Sequence, residues 1–131
     1  MPKQNGDINT ESVATQRFCT ILADPPWPGQ SGERHYATMS LDRIADIPVS
    51  ALATPNAHLW LWTTNALLVD AYAVAAAWGF TVRSPLTWVK FRLGLASQYQ
   101  LRNATEQLLF CTRGKAPVRY RCLLYTSDAA D

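Results

Sequence analysis

Residues 17–27 read Arg-Phe-Cys-Thr-Ile-Leu-Ala-Asp-Pro-Pro-Trp, and this stretch decides which fold is expected. Its first part, Arg17–Ala23, is mostly apolar and partly β-branched, and it stops abruptly at Asp24 and two prolines. That pattern is typical of a buried strand that ends in a loop. Ligands of open α/β sheets bind beyond the C-terminal ends of the strands, so we expect functional groups directly after Ala23.

The rest of the chain alternates between helix-like and strand-like patterns. The predicted helical segments are a short helix capped by Ser40 that runs to about Asp46, a turn opened by Pro48 over residues 49–53, and a helix over 66–78 that ends at Gly79. The predicted strands are His58–Trp62, Phe80–Lys90 with a break or bulge at Pro85, and Glu106–Thr112, with a loop over residues 92–104 before the last. This order predicts an α/β sheet with crossover helices.

The composition excludes several classes of protein. Of the 131 residues 48% are hydrophobic and 17% are charged, which favours one packed domain over a disordered chain. The longest apolar run, residues 71–78, is far shorter than the roughly 20 residues of a membrane-spanning helix, and residues 1–16 are polar and look flexible. Cys19, Cys111 and Cys122 have no metal-binding or disulfide spacing. We therefore expect a cytoplasmic protein without a membrane segment or a metal site.

The last ten residues, 122–131, differ in character from what precedes them. They resemble the translation of a transposase adapter used in DNA library preparation, so we expect them to be non-native. Without them twelve Lys and Arg stand against eight Asp and Glu, a net charge of +4. Seven of the basic residues lie between Lys90 and Arg121, where Glu106 is the one acid. Such a stretch can bind phosphates, and a solvated surface without a partner is the alternative.

Asp24-Pro25-Pro26-Trp27, called the DPPW motif below, combines a carboxylate, two rigid residues and an indole. Methylation of an exocyclic aromatic amine is difficult because the nitrogen lone pair is delocalised into the ring, so the nitrogen must be held and polarised. The carboxylate and a nearby backbone carbonyl, fixed by the prolines, can accept the two amine hydrogens. Trp27 can offer a stacking face to an extruded base. The alternative is a rigid turn with an aromatic plug.

The DPPW motif after Phe18-Cys-Thr-Ile-Leu-Ala23 resembles the catalytic signature of the N6-adenine methyltransferase family that includes the seventy-kilodalton subunit of the mRNA adenosine methyltransferase, the MT-A-seventy-like family. Further segments are similar to family segments in the same order and spacing: His35–Ser40, Leu59–Thr63, Trp78–Phe80, Trp88–Lys90 and Arg102–Gly114. The resemblance covers roughly residues 17–115.

This resemblance implies a Rossmann-like methyltransferase sheet with a permuted motif order. Residues 17–121 would be a partial catalytic domain, because the segments that make most cofactor contacts in the family come later and do not occur in this sequence. The implied cofactor is S-adenosyl-L-methionine, and the implied substrate is the N6 amine of adenine in nucleic acid. We expect DNA in a bacterial or phage setting, with RNA as the alternative.

The resemblance also implies roles for individual residues. Asp24 would contact the target amine and the methionine end of the cofactor, Pro25 and Pro26 would present backbone to the amine, and Trp27 would form a wall of the adenine site. The groove near phosphate, ribose or base would be lined by Tyr36, Lys90, Arg102, Asn103 and Glu106. Alternatively, Tyr36 is a hydrophobic hinge, Lys90 and Arg102 serve solubility, and Glu106 begins a strand and pairs with an arginine.

Burial predicted from strand and helix periodicity makes Trp60, Trp62, Trp78 and Trp88 core residues, and His58 a structural histidine. The family usually has a second glycine in the segment that reads Gly94-Leu95-Ala96 here, and a histidine at the position of Gln107.

Two other functions remain open. The chain could be a non-catalytic nucleic-acid-binding partner, although the intact Asp24 speaks against this. It could also methylate the N4 amine of cytosine, but motifs for cytosine more often begin with Ser and end with Tyr or Phe. The leading Asp and the closing Trp favour adenine.

Overall fold

The structure, a computed structural model, describes residues 16–29, 37–91 and 101–118. Tyr36, the segment 92–100, the tail 122–131 and the predicted flexible N-terminus up to residue 15 lie outside the described residues. In chain order the elements are β1 (Phe18–Ala23), α1 (Leu41–Ala45), α2 (Val49–Leu52), β2 (Ala53–Thr63), a 3-10 helix (Asn65–Leu67), α3 (Leu68–Ala77), β3 (Thr81–Val89) and β4 (Thr105–Arg113).

The four described strands form one sheet in the order β1-β2-β4-β3. β1 is parallel to β2, whereas β4 is antiparallel to both β2 and β3. Parallel neighbours need a crossover connection, and α1 and α2 lie in that connection between β1 and β2. The structure therefore confirms the predicted α/β class, as part of a Rossmann-like methyltransferase sheet. The C-terminal ends of β1, β2 and β3 and the start of β4 lie side by side. We call this border of the sheet, which runs across the strand ends, the C-terminal edge.

Two helix ends follow from the residues predicted to cap them. Ser40 precedes α1, and its Oγ accepts a hydrogen bond from the Arg43 backbone N–H at 3.4 Å. Gly79 ends α3 with a φ of 82°, which only glycine adopts without strain. The N–H groups of Gly79 and Phe80 then bond the last helical carbonyls, those of Ala76 and Ala75, both at 2.9 Å. Both predicted helix boundaries are confirmed.

β2 starts earlier than predicted, whereas β3 contains the predicted irregularity. β2 begins at Ala53, five residues earlier than predicted, because pairing with its neighbours extends a segment whose Pro55 and Asn56 favour a turn. In β3 the register shifts between Val82 and Ser84, just before Pro85, which confirms the predicted bulge. β3 tolerates the proline because it is an edge strand of the described sheet.

The core lies on one face of the sheet, between the helices and alternate residues of the strands. Trp78 is 2% exposed, and its Nε1–H donates to the Ile44 carbonyl at 3.0 Å, so its predicted burial is confirmed. The other fully buried large side chains include Trp27, Leu59, Leu61 and Leu109. Within the described part of the chain, no helix has the length and apolar character needed to cross a membrane.

The opposite face carries the intervening strand residues and is less covered. Trp60 and Trp62 are only partly buried there, against Phe110 at 4.7 Å and Trp88 at 5.9 Å between ring centroids. Trp88 is 53% exposed, so its prediction as a core residue is wrong. The register shift places it opposite Glu106 on an edge strand, and the buried residues of α1, α2 and α3 all belong to the core on the other face.

His58 lies on this less covered face and has a structural partner. Its Nε2 bonds the Ala116 carbonyl at 2.9 Å, and its ring lies 5.5 Å from that of Phe110. A carbonyl only accepts, so Nε2 carries the hydrogen. The prediction of a structural histidine is confirmed.

Candidate functional site

The DPPW motif leaves β1 at the C-terminal edge and forms a tight turn. The Trp27 N–H donates to the Pro25 carbonyl at 2.8 Å, and the Met39 N–H donates to the Pro26 carbonyl at 2.9 Å. The second bond joins the motif to the segment that precedes α1. Each carbonyl oxygen has two lone pairs, so each keeps one for a further donor. The two prolines and these bonds give the carbonyls fixed directions.

Trp27 anchors the motif to the end of β2. Its side chain is 0% exposed, and its Nε1–H donates to the Trp62 carbonyl at 2.9 Å. The stacking face predicted for Trp27 is covered in this structure, because the whole indole is enclosed in the core. Here the aromatic plug that the sequence left as an alternative describes the ring better.

Asp24 has the properties of a group kept for a ligand. Its side chain reaches solvent, and no described residue donates a hydrogen bond to its carboxylate. Partial burial, followed by the nearby charge of Glu106, raises the pKa of Asp24 above its ordinary value of 3.8. Unpaired carboxylates with raised pKa values are concentrated at functional sites.

Lys90 and Glu106 form an ion pair at the same edge. Lys90 follows β3, Glu106 is the second residue of β4, and about a third of each side chain is exposed. The backbone N–H of Lys90 also donates to the Ala104 carbonyl at 2.6 Å, which fixes the end of β3 against the start of β4. The predicted pairing of Glu106 with an arginine is thus replaced by a pairing with Lys90. Since the charge of Glu106 acts on Asp24, the structure brings these three predicted site residues together.

A network of amide and hydroxyl groups beside this ion pair was not predicted from the sequence. The Gln107 Nε2 donates to Asn65 Oδ1 and the Thr87 hydroxyl donates to Gln107 Oε1, both at 2.9 Å. Asn65 Nδ2 in turn donates to the Thr105 hydroxyl at 2.9 Å. The network connects Asn65, two residues after the end of β2, with β3 and β4, and so holds the C-terminal edge in one arrangement. The one signal in the sequence was that Gln107 departs from the histidine usual in the family that the chain resembles. The partners of Gln107 could be identified only from the strand register.

The other predicted residues are placed less closely. Arg102 and Asn103 are exposed just before β4, on the C-terminal edge, and Tyr36 lies outside the described residues. The structure describes four of the seven basic residues of the stretch 90–121, and these four do not form one surface. Arg113 and Lys115 lie at the far end of β4, about 30 Å from its start at about 3.3 Å per residue. There the Arg113 Nη1 donates to the Ser50 carbonyl at 2.7 Å.

Among the described residues, no group of three or more His, Cys, Asp or Glu side chains is arranged to hold a metal ion. The described residues at the C-terminal edge offer one free carboxylate, one ion pair, fixed backbone carbonyls, aromatic rings, the amide and hydroxyl network, and the exposed Arg102 and Asn103.

Comparison with known proteins finds two similar methyltransferases. The chain is 35% identical over 78 residues to the N(6)-adenine-specific methyltransferase METTL4 of Homo sapiens, which is 56% of this chain and 16% of that protein. It is 34% identical over 86 residues to the N6-methyladenosine RNA methyltransferase MTA1 of Cryphonectria parasitica, which is 56% of this chain and 26% of that protein. The matched segment thus spans about a quarter or less of either relative.

The family model MT-A70 matches residues 18–127. The match includes the DPPW motif, Lys90, Glu106 and every strand of the described sheet. It also takes in the first six residues of the segment 122–131, whose non-native origin stays a prediction. With most of its length matched, the chain belongs to the MT-A70 family.

Proposed function

We propose that this protein transfers a methyl group from S-adenosyl-L-methionine to the N6 amine of adenine in nucleic acid. The observation that carries the proposal is the Asp24 carboxylate, which is unpaired among the described residues and stands on a rigid turn at the C-terminal end of β1. The named activities of the two relatives support the choice of adenine N6.

The geometry suits an exocyclic amine. One N–H of the amine donates to Asp24, and the other donates to a free lone pair of the Pro25 or Pro26 carbonyl. Held at both hydrogens, the nitrogen can direct its own lone pair out of the plane of the base, where it is nucleophilic. The fixed carbonyl directions matter because the reacting atoms then need little reorganisation.

The raised pKa of Asp24 suits it to the proton that the nitrogen must lose. Methyl transfer leaves a positive charge on the nitrogen, and a carboxylate that already bonds its hydrogen can take the proton. A carboxylate whose charged form is disfavoured by its surroundings is a stronger base than an ordinary one. Asp24 therefore acts first as a hydrogen-bond acceptor and then as a proton acceptor.

The cofactor requirement fits the same carboxylate. S-adenosyl-L-methionine supplies an electrophilic methyl group and carries an ammonium at its methionine end. Asp24 is the described residue whose chemistry fits that ammonium, because it is a free anion at the end of a parallel strand. One carboxylate has two oxygens, so it can contact both the cofactor and the target amine.

The polymer that carries the adenine is part of the proposal's test. The sequence favoured DNA in a bacterial or phage setting, whereas the two relatives are eukaryotic and one of them is named as an RNA methyltransferase. The assay therefore compares single-stranded and duplex DNA with RNA of the same sequence.

The experiment measures transfer of labelled methyl groups from S-adenosyl-L-methionine to these oligonucleotides by the protein expressed from its complete reading frame. We expect N6-methyladenine by mass spectrometry. We also expect a loss of more than about a hundredfold in Asp24→Asn, equivalent to about 3 kcal/mol of transition-state stabilisation. Asn keeps the shape of the side chain, but it carries no charge and replaces one of the two acceptor oxygens with an NH2 donor.

Three results would contradict the proposal. N4-methylcytosine as the product would favour the cytosine alternative, and binding of nucleic acid without methyl transfer would favour a non-catalytic partner. Turnover retained in Asp24→Asn would remove the central role given to that carboxylate.

A further inference from the structure

One aromatic ring at the C-terminal edge is exposed, and it is not the ring of the DPPW motif. All five tryptophans of the chain lie in the described residues, and Trp88 is the one classed as exposed, at 53%. Trp27 and Trp78 are buried, and the remaining two are partly buried. Because a base can stack only on an accessible ring, Trp88 is the tryptophan that this structure offers to a nucleotide.

The exposed ring is held in position by its neighbours. The Trp62 ring contacts it in an edge-on arrangement, with 5.9 Å between centroids and 71° between planes. The Lys90 ammonium lies 5.3 Å from the centroid of the Trp88 ring, and the same ammonium is paired with Glu106. A ring already fixed in one orientation loses little conformational entropy when a ligand stacks on it. Its exposure is therefore not a sign of a loose side chain.

The surroundings of Trp88 have the chemistry of a single-strand binding surface. The segment Trp88-Val89-Lys90-Phe91 combines two aromatic rings with a cation, and Phe91 is fully exposed like a second ring available for contact. Lys90 is about a third exposed, so an approaching phosphate can reach its ammonium. Binding of single strands combines stacked bases with cations that follow the backbone.

Trp88 is also close to the DPPW motif through a single residue. Trp62 contacts the Trp88 ring with its own ring and accepts the Trp27 indole hydrogen bond with its carbonyl. The exposed ring and the anchored motif are therefore attached to the same position of β2. A base on Trp88 would be a near neighbour of an adenine held at Asp24.

We propose that Trp88 is the platform on which a base of single-stranded nucleic acid stacks beside the target adenine, while Lys90 contacts the adjoining phosphate. The identity of that target rests on the proposed function, but the stacking itself does not. The base on Trp88 is a neighbour of the target, whereas the sequence had assigned to Trp27 a contact with the target adenine itself.

The test measures the fluorescence anisotropy of a short, end-labelled single-stranded oligothymidylate as the protein is added, so that the signal does not depend on Trp88. The strand contains no adenine and so reports binding without methyl transfer. In the unchanged protein we also expect the bound strand to quench the tryptophan fluorescence that comes from Trp88. Trp88→Ala should weaken binding about ten- to hundredfold, the range expected for the loss of one stacked base, and Trp88→Phe should restore most of it. Val69→Ala removes another exposed apolar side chain, on α3, and should leave binding unchanged.

A second measurement separates this proposal from the proposed function. With an adenine-containing strand, Trp88→Ala should raise KM far more than it lowers kcat, because the ring contacts the strand and not the reacting atoms. Weakened binding in a protein that shows no methyl transfer would support the stacking platform and contradict the proposed function. Absence of binding to the strand, equal affinity of Trp88→Ala and the unchanged protein, or shielding of Trp88 from acrylamide by other parts of the protein would overturn the platform.

Discussion

Replacement of Trp27 by Phe distinguishes an anchor from a stacking wall. Phe keeps an aromatic face, so a ring whose work is stacking would tolerate the change. The structure predicts a large loss of stability instead, because Phe cannot donate to the Trp62 carbonyl and does not fill the enclosed space of the indole. Leaving a buried carbonyl without its partner costs about 1–3 kcal/mol. The lost apolar area, about 40 Å² at roughly 25 cal/mol per Å², adds about 1 kcal/mol before any cavity is counted.

The expected total is about 2–4 kcal/mol, a large part of the stability of a small domain. Urea unfolding at neutral pH measures it, with Trp88→Phe as the control, since shortening a half-exposed ring should cost less than about 0.5 kcal/mol. Incorporation of benzothienylalanine at position 27 keeps the ring size without the N–H and isolates the hydrogen bond. Equal unfolding midpoints for Trp27→Phe and the unchanged protein would refute the anchoring role.

Three further predictions concern backbone strain and the charges at the C-terminal edge. Gly114 has a φ of 62°, and a Cβ there would collide with the Pro55 carbonyl oxygen and Asn56 Oδ1. Gly114→Ala should therefore lower the free energy of unfolding by about 2–4 kcal/mol. Gly29 has a φ of 71° and nothing within 4 Å of its Cβ position, so Gly29→Ala should lower the free energy of unfolding by only about 1–2 kcal/mol. Folding raises the pKa of Asp24, so ionisation of this carboxyl destabilises the folded state above pH 3.8. Asp24→Asn should therefore have a higher Tm than the unchanged protein at pH 7. A difference in Tm that does not shrink as the pH falls towards 3.8 would contradict this. Lys90→Met removes the cation that neutralises Glu106, so the pKa of Asp24 should rise further. The acid limb of the pH–activity profile should then move to higher pH, whereas Glu106→Gln should move it to lower pH. Unmoved profiles would show that the three groups do not interact.

The parts of the fold that the sequence predicted well are those with a local cause. The helix that starts after Ser40 and the helix that ends at Gly79 depend on capping groups within a few residues of each boundary. β1 is a short apolar run stopped by prolines. The expectation of a functional group directly after β1, where Asp24 lies, followed from a rule about strand ends, whereas the expectation for Lys90 and Glu106 came from the family resemblance.

The parts that the sequence missed depend on pairing between distant segments. β2 starts at Ala53 because β1 pairs with it, and no local preference of Pro55 or Asn56 indicates a strand. Gln107 bonds Asn65 and Thr87 because β4 sets it beside both, 42 and 20 residues away in sequence. A glutamine where the family resemblance leads us to expect a histidine indicates a difference, but its partner groups are visible only once the strand register is known.

The two aromatic roles at the site show the same dependence on register. A ring that fixes a motif must be enclosed, and a ring that stacks a base must be open, so one indole cannot do both in one conformation. Local sequence places Trp27 close to Asp24 and Trp88 in a strand that looks buried, which suggests stacking for the first and burial for the second. The sheet order β1-β2-β4-β3 reverses this, because it encloses the turn after β1 between β2 and the helices and puts Trp88 on an edge strand opposite Glu106. If the enclosed indole keeps Asp24 in place and the open one receives the strand, then loss of Trp27 should affect folding and kcat, whereas loss of Trp88 should affect binding alone.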